Sequence, residues 1–340
     1  MKVALIHDDL VQWGGAERVL LGICEIFPDA PIYTSVYDRD NLILKDNFVH
    51  KKIITSFLQK IPGWKSLYKT LLPLYPIAFE QFSFDQFDLV ISHTTRFAKS
   101  IITKPQTKHI CYCHTPPRFL WHFSGELNYG LGELLMSKLR VYDQVSANRV
   151  DCFLAGSENA KKRIKKIYRR DAKVIYPFVD LERFKNVETF DGGYFVVIGR
   201  PNKYKRVALA KFACQELGVE LKIISGNLDD DMVVAILAGC KALLVPGEED
   251  FGLASLEAQA LGKPVVAFKA GGSLETVIDG KTGFFFDQQT VTSLVGVLKR
   301  FNDLNHWNKA AFCKANAKKF SKDNFIKNFR QTVASLEYTI

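Results

Sequence analysis

At 340 residues, with 47% hydrophobic and 24% charged side chains, the chain has an ordinary globular composition and enough length for two domains, each burying its own core. No apolar run approaches the roughly 20 residues of a membrane helix, and the first residues read as a strand rather than a charged, cleavable leader, so a cytoplasmic protein is expected. A net charge of +10 favours anionic partners (nucleotide phosphates, an anionic membrane surface or nucleic acid), while seven cysteines without a CxxC pair argue for reduced thiols.

In chain order, residues 2–7 form a short apolar strand, and Trp13-Gly14-Gly15-Ala16 leads into a helix with Val19, Leu20, Ile23 and Phe27 on its apolar face. Strand, glycine turn and helix open a doubly wound sheet, without a GxGxxG dinucleotide fingerprint. Gly14-Gly15 is either plain turn chemistry or a backbone approach to a ligand. Residues 32–36 are a second strand. From 50 to 82, Lys51, Lys52, Lys60, Lys65 and Lys69 are interleaved with Phe57, Trp64, Tyr68, Tyr75 and Phe79, and Pro62, Pro73 and Pro76 break the segment into short helices. Such helices either dock on an anionic bilayer, which requires Trp64 and Tyr68 to be exposed, or pack on the sheet with their lysines in solvent.

Residues 88–92 and Lys108–Cys113 are apolar strands ending in His93-Thr94-Thr95 and His114-Thr115-Pro116-Pro117-Arg118. Open α/β sheets bind ligands at such strand ends, which makes His114 a site residue or a structural hydrogen-bonder. His109, Cys111, Cys113 and His114 raise the possibility of zinc, but alternate residues on one strand face are a poor tetrahedral set and thiols are common core residues. A helix over 130–150, strand Cys152–Ala155 and a helix over 160–170 with seven basic residues follow, Ser157 and Asn159 capping the last. After a strand at 173–175 the chain loses regularity up to 193. This predicts a first domain over 1–180, rejoined by a helix over 321–340, and a second over 181–320.

The second half alternates strands (Tyr194–Ile198, Glu220–Ile224, 242–245, 264–268, Gly283–Phe286) with helices. Arg200 and Lys205 follow the first of these strands, where they can neutralise a departing diphosphate or be ordinary surface cations. Gly226 and Asn227 leave the next, near a base or ribose. The central stretch is Val245-Pro246-Gly247-Glu248-Glu249-Asp250-Phe251-Gly252-Leu253-Ala254-Ser255-Leu256-Glu257, a strand end, an acidic turn and a helix start. Unpaired amides at the helix start suit a diphosphate, with Glu249 at one end of a nucleotide-sugar and Glu257 at the other. The acids of this turn can equally be solvated complements of the helix dipole.

The spacing Glu249-x7-Glu257 around Phe251-Gly252-Leu253 closely resembles the motif of family 4 retaining glycosyltransferases, and Cys113-His114-Thr115-Pro116, Gly199-Arg200 with Lys205, and Ala270-Gly271-Gly272-Ser273-Leu274-Glu275 follow in that family's order. The resemblance implies an α/β GT-B fold: two doubly wound Rossmann-like domains facing a cleft, the nucleotide on the second, and a C-terminal helix crossing back to the first. It implies that Glu249 and His114 contact the donor sugar, that Arg200 and Lys205 serve the diphosphate, and that Glu257 holds the ribose. Gly14 and Gly15 then approach the donor phosphate or the acceptor, and Gly226, Asn227, Phe251, Gly252 and Leu253 complete the donor site.

Within the family, Cys-His-Thr-Pro-Pro-Arg, Gly-Ser-Glu-Asn and Tyr-Lys-Arg look most like bacterial mannosyltransferases of O-antigen or other surface polysaccharide. That implies GDP-mannose as co-substrate, a saccharide or lipid-linked acceptor, and possible contact with the inner face of the cytoplasmic membrane. No metal or other cofactor is expected, because Arg200, Lys205 and the helix start can hold the diphosphate. UDP-linked glucose or N-acetylglucosamine remains an alternative donor, and a sugar-nucleotide epimerase would share the fold without an acceptor. Nucleic-acid binding is suggested by charge alone.

Overall fold

The computed structural model describes residues 1–340 except 69, 122, 124–131, 200–202, 227, 304–308 and 338–340. It consists of two compact units, Met1–Tyr176 with Asn328–Ile340, and Pro177–Lys327. The first boundary falls four residues before the expected one because residues 177–180 are tied to the second unit: Val179 N donates to Phe320 O (2.9 Å), and the Phe178 ring lies 5.2 Å from that of Phe325. The last helix, Lys322–Glu337, starts in the second unit and ends in the first.

The first unit is built on seven parallel strands in the order β3-β2-β1-β4-β5-β6-β7: β1 Val3–His7, β2 Ile32–Thr34, β3 Ile53–Thr55, β4 Leu89–Thr94, β5 Lys108–Cys113, β6 Cys152–Ala155 and β7 Ala172–Val174. The second has five, ordered β12-β11-β10-β8-β9: β8 Tyr194–Ile198, β9 Glu220–Ile224, β10 Cys240–Val245, β11 Val265–Phe268 and β12 Gly283–Phe286. All pairs are parallel, so both faces are covered and the strands are near-continuous apolar runs.

The 50–82 segment corrects a sequence expectation. It opens with a strand, β3, which three residues at a sheet edge could not announce through periodicity. Its aromatics are core: Trp64, Tyr75 and Phe79 are buried, with Phe57 and Tyr68 packed against them. Two of its lysines answer the protein itself. Lys51 Nζ donates to Phe27 O (2.8 Å) and Pro28 O (2.5 Å) at the end of the Gly15–Ile26 helix, and Lys65 pairs with Asp38 (2.6 Å) and Asp40 (2.5 Å). Lys69 lies outside the described residues. Among those residues, no helix is long and apolar enough to cross a membrane.

Beneath the first sheet sits a fully buried ion pair, Lys99 with Asp143, both 0% exposed. Asp143 Oδ2 accepts from Trp121 Nε1 (2.8 Å) and Tyr168 OH (2.9 Å), while Lys99 Nζ also donates to Arg96 O (3.2 Å), so both charges are hydrogen-bonded as well as paired. His109 is equally interior, its Nε2 2.8 Å from Ser92 Oγ, with Cys111 and Cys113 buried beyond it on the same strand.

Two stability predictions follow from these buried charges. Asp143→Leu should cost about 3–5 kcal/mol by stranding Lys99, and Lys99→Met in the same chain should recover much of that loss; additive losses in urea unfolding would contradict the pairing. Burial pushes His109 down from 6.5 to about 4, with Asp151 and the Arg149 backbone opposing and Lys99 adding. The unfolded chain therefore binds the proton first, so stability is held above pH 6.5 and lost as pH falls from 6.5 towards 4, by up to about 1.4 kcal/mol per pH unit for this group. His109→Gln should flatten that slope, and an unchanged slope would rule the assignment out.

Candidate functional site

In the second sheet the strand order reverses between β8 and β10, which places the loops leaving those strands side by side. The loop after β10 is gripped from two directions. A Cβ on Gly247 would stand 2.1 Å from Tyr204 O, and one on Gly272 would stand 2.2 Å from Phe251 Cα, so only glycine admits either neighbour. Gly272 N also donates to Glu249 O (2.9 Å). Gly252 ends the loop at φ 98°, a left-handed conformation, and caps the Leu253–Ala260 helix without a side chain, leaving the first-turn amides unanswered by a cap. Beneath it Ser255 Oγ is buried and has no hydrogen-bond partner among the described residues.

The clamp brings together two of the residues expected to act on the donor: Lys205 Nζ lies 2.7 Å from Glu249 Oε1. Burial, the largest single influence on Lys205, works against its charge, yet Glu249, the Tyr204 hydroxyl and Asp250 outweigh it and hold the ammonium above its ordinary pKa. Lys205 is therefore a fixed cation. Arg200 and Asn227 lie outside the described residues. Gly226 turns the chain after β9 at φ 51°, and Phe251 is an anchor whose ring is buried against Phe320 (5.5 Å, edge-on).

Glu257, on the same helix, has a cation that sequence reasoning missed. Arg183 Nη1 lies 3.2 Å from Glu257 Oε1, and its Nη2 3.4 Å from Asp230 Oδ1. Arg183 stands in a single 3₁₀ turn, Leu181–Phe184, capped by Asp180, and nothing in a 74-residue separation ties it to Glu257. The expectation of a metal-free site overlooked two Asp-x-Asp triplets: Asp38 and Asp40 hold Lys65, and in Asp229-Asp230-Asp231 the first caps a helix while the second meets Arg183.

In the first sheet the reversal falls between β1 and β4. Gly14 caps the Gly15–Ile26 helix in an extended conformation, and the first turn of that helix carries the buried Glu17. Parallel register sets His7 opposite His93, and His114 follows β5 immediately. His7 Nδ1 lies 3.0 Å from His93 Nδ1, and His93 Nε2 lies 2.7 Å from His114 Nε2. At the far end His7 Nε2 is 3.7 Å from Glu17 Oε1. Tyr112 stacks on His93, with rings 5.5 Å apart and 12° from parallel. Sequence reasoning named His114 but not His7, His93 or Glu17; the register of three apolar strands each ending near a histidine was the available signal.

The sequence pattern of Glycosyltransferase Family 4 matches residues 13–183, half of the chain, and that of Glycosyl transferases group 1 matches residues 158–320. Relatives include the alpha-1,3/1,6-mannosyltransferase alg2 of Schizosaccharomyces pombe, 23% identical with 84% of this chain and 70% of that protein covered, and human ALG2, 22% identical with 85% of each covered. The glycogen synthase of Pseudomonas aeruginosa is 35% identical over 119 residues, 34% of this chain and 22% of its own. Among solved structures, Anabaena Alr3699/HepE in complex with UDP superposes with a TM-score of 0.69 at 18% identity, covering 98% of this chain and 100% of its own, and the Thermosynechococcus elongatus sucrose-phosphate synthase with 0.72 at 15%, covering all of both. These matches and the two doubly wound parallel sheets place the chain: it belongs to glycosyltransferase family 4, has the GT-B fold, and is a glycosyltransferase.

Proposed function

We propose that this glycosyltransferase moves mannose from GDP-mannose, with retention, to a saccharide or lipid-linked saccharide acceptor of a surface polysaccharide. The observation that carries the donor-site assignment is the pairing of both motif carboxylates with cations on either side of one helix start, Glu249 with Lys205 and Glu257 with Arg183. A diphosphate fits the uncapped amides after Gly252, close to the buried and unanswered Ser255 hydroxyl, with Lys205 and Arg200 meeting the charge that grows as the sugar leaves. Glu249 then faces the sugar and Glu257 the ribose hydroxyls, with Arg183 orienting Glu257. Leaving-group stabilisation by these groups needs no metal ion. By the family resemblance, His114 is a further contact of the donor sugar.

Mannose is supported by similarity to the ALG2 mannosyltransferases over most of the chain. A UDP-sugar donor is the second reading, supported by the fold neighbour that binds UDP-glucose. Contact with an anionic membrane, where the acceptor is lipid-linked, would rest on the net charge of +10, since Trp64 is buried and Lys51 and Lys65 are held by the protein.

Donor identity is read by stabilisation on binding: a ligand at a hundred times its Kd raises apparent stability by about 2.7 kcal/mol. GDP-mannose should do so and UDP-glucose should not; the opposite ranking selects the second reading. Turnover should survive EDTA, and loss of activity restored by a divalent ion would overturn the metal-free assignment. Glu249→Ala should lower kcat about a hundredfold with little change in donor KM. Glu257→Ala and Arg183→Ala should instead share a rise of about tenfold in donor KM. If Arg183→Ala left KM at the wild-type value while Glu257→Ala raised it, the orienting role of Arg183 would fail.

A further inference from the structure

The row Glu17, His7, His93 and His114 lies wholly within the first unit, and its geometry goes beyond a contact made by His114 alone. A neutral imidazole has one donor and one acceptor nitrogen. His93 spends both on histidines, Nδ1 towards His7 and Nε2 towards His114, so the row has one polarity from end to end. Complete burial holds His93 well below the ordinary histidine range, and a proton on either neighbouring histidine would only lower it further, so His93 is neutral.

Two contacts choose the polarity. His7 Nδ1 also lies 3.3 Å from the His93 carbonyl oxygen, which can only accept, so the hydrogen belongs on His7 Nδ1. On its other side His7 Nε2 faces the buried Glu17 carboxyl at 3.7 Å. With its hydrogen on Nδ1, His7 meets that carboxyl through Nε2. His7 Nδ1–H then donates to His93 Nδ1, His93 Nε2–H donates to His114 Nε2, and the remaining hydrogen of His114 sits on Nδ1.

We propose that Glu17, His7 and His93 are positioning residues that hold His114 as its Nδ1–H tautomer, so that His114 offers a hydrogen-bond donor to an oxygen of the sugar donor. The use of that N–H rests on the reading of His114 as a donor-sugar contact; the tautomer does not. In full-length protein labelled with nitrogen-15 at histidine, with the His114 signals assigned by their loss in His114→Gln, Nδ1 should be protonated and Nε2 bare at neutral pH. A protonated Nε2 with a bare Nδ1 overturns the proposal, and this measurement stands whether or not any variant folds. His7→Leu removes the donor that sets the polarity: the fixed tautomer of His114 should be lost, and kcat/KM for the donor should fall about tenfold. If His114 keeps its Nδ1–H in a His7→Leu protein whose His109 signals show an intact core, the row does not set the tautomer. Failure of GDP-mannose as donor would instead defeat the mannose assignment and leave the tautomer result untouched.

Discussion

A parallel sheet sends every strand's carboxyl end to the same edge, and where the strand order reverses, neighbouring loops leave towards opposite faces. This constraint positions the histidine row and the Lys205–Glu249 pair. Because β2 and β3 extend the first sheet one way from β1 while β4 to β7 extend it the other, the C-terminal residues of β1, β4 and β5 come together, and with them His7, His93 and His114. In the second sheet the reversal between β8 and β10 sets the Lys205 turn beside the Glu249 loop. A slip of one residue in β1 against β4 would turn His7 to the opposite face and dissolve the row.

Two buried acids near these edges, Asp8 and Asp9, are met by the turn after β4. Asp8, immediately after β1, accepts from the backbone N–H groups of Thr95 (2.6 Å), Phe97 (2.9 Å) and Ala98 (2.8 Å) and from Thr94 Oγ1 (2.9 Å). The buried Asp9 pairs with Arg96 in the same turn. Two adjacent acids thus bind the turn after β4 to the end of β1, which holds the His93 backbone in the place that the histidine row requires. An isolated carboxylate there would cost several kcal/mol, on the order of a fifth or more of a domain's stability.

Much of this was legible from sequence, in proportion to how local its cause is. Strand and helix alternation comes from apolar periodicity, and the cap at Ser157, whose Oγ accepts from Ala160 N (2.9 Å), comes from side-chain chemistry three residues away. Glu249 and Glu257 stood out because nine residues of one loop and helix hold both. Arg183 was invisible because its partner is 74 residues distant and its own turn has no period. The 50–82 segment left two readings open for a related reason: basic and aromatic residues alternate in a core segment as they do at a bilayer surface, and the contacts of Trp64 favour the core. His7 was hidden by looking like the end of an apolar strand.

The Lys205–Glu249 pair shows why the same two residues can be both structural and poised for chemistry. Their attraction at 2.7 Å in a partly buried setting outweighs the desolvation of the ammonium, which is why the pKa of Lys205 rises rather than falls. Glu249 is thereby held in place before any ligand arrives, and Lys205 is kept from swinging into solvent. On the proposed donor site, a diphosphate at the start of the Leu253–Ala260 helix would compete for the same ammonium with greater charge, drawing Lys205 towards the phosphate and loosening its hold on Glu249. On that proposal the carboxylate would gain freedom to take a sugar hydroxyl only once the leaving group is in place, with no rearrangement of the backbone that Gly247 and Gly272 lock.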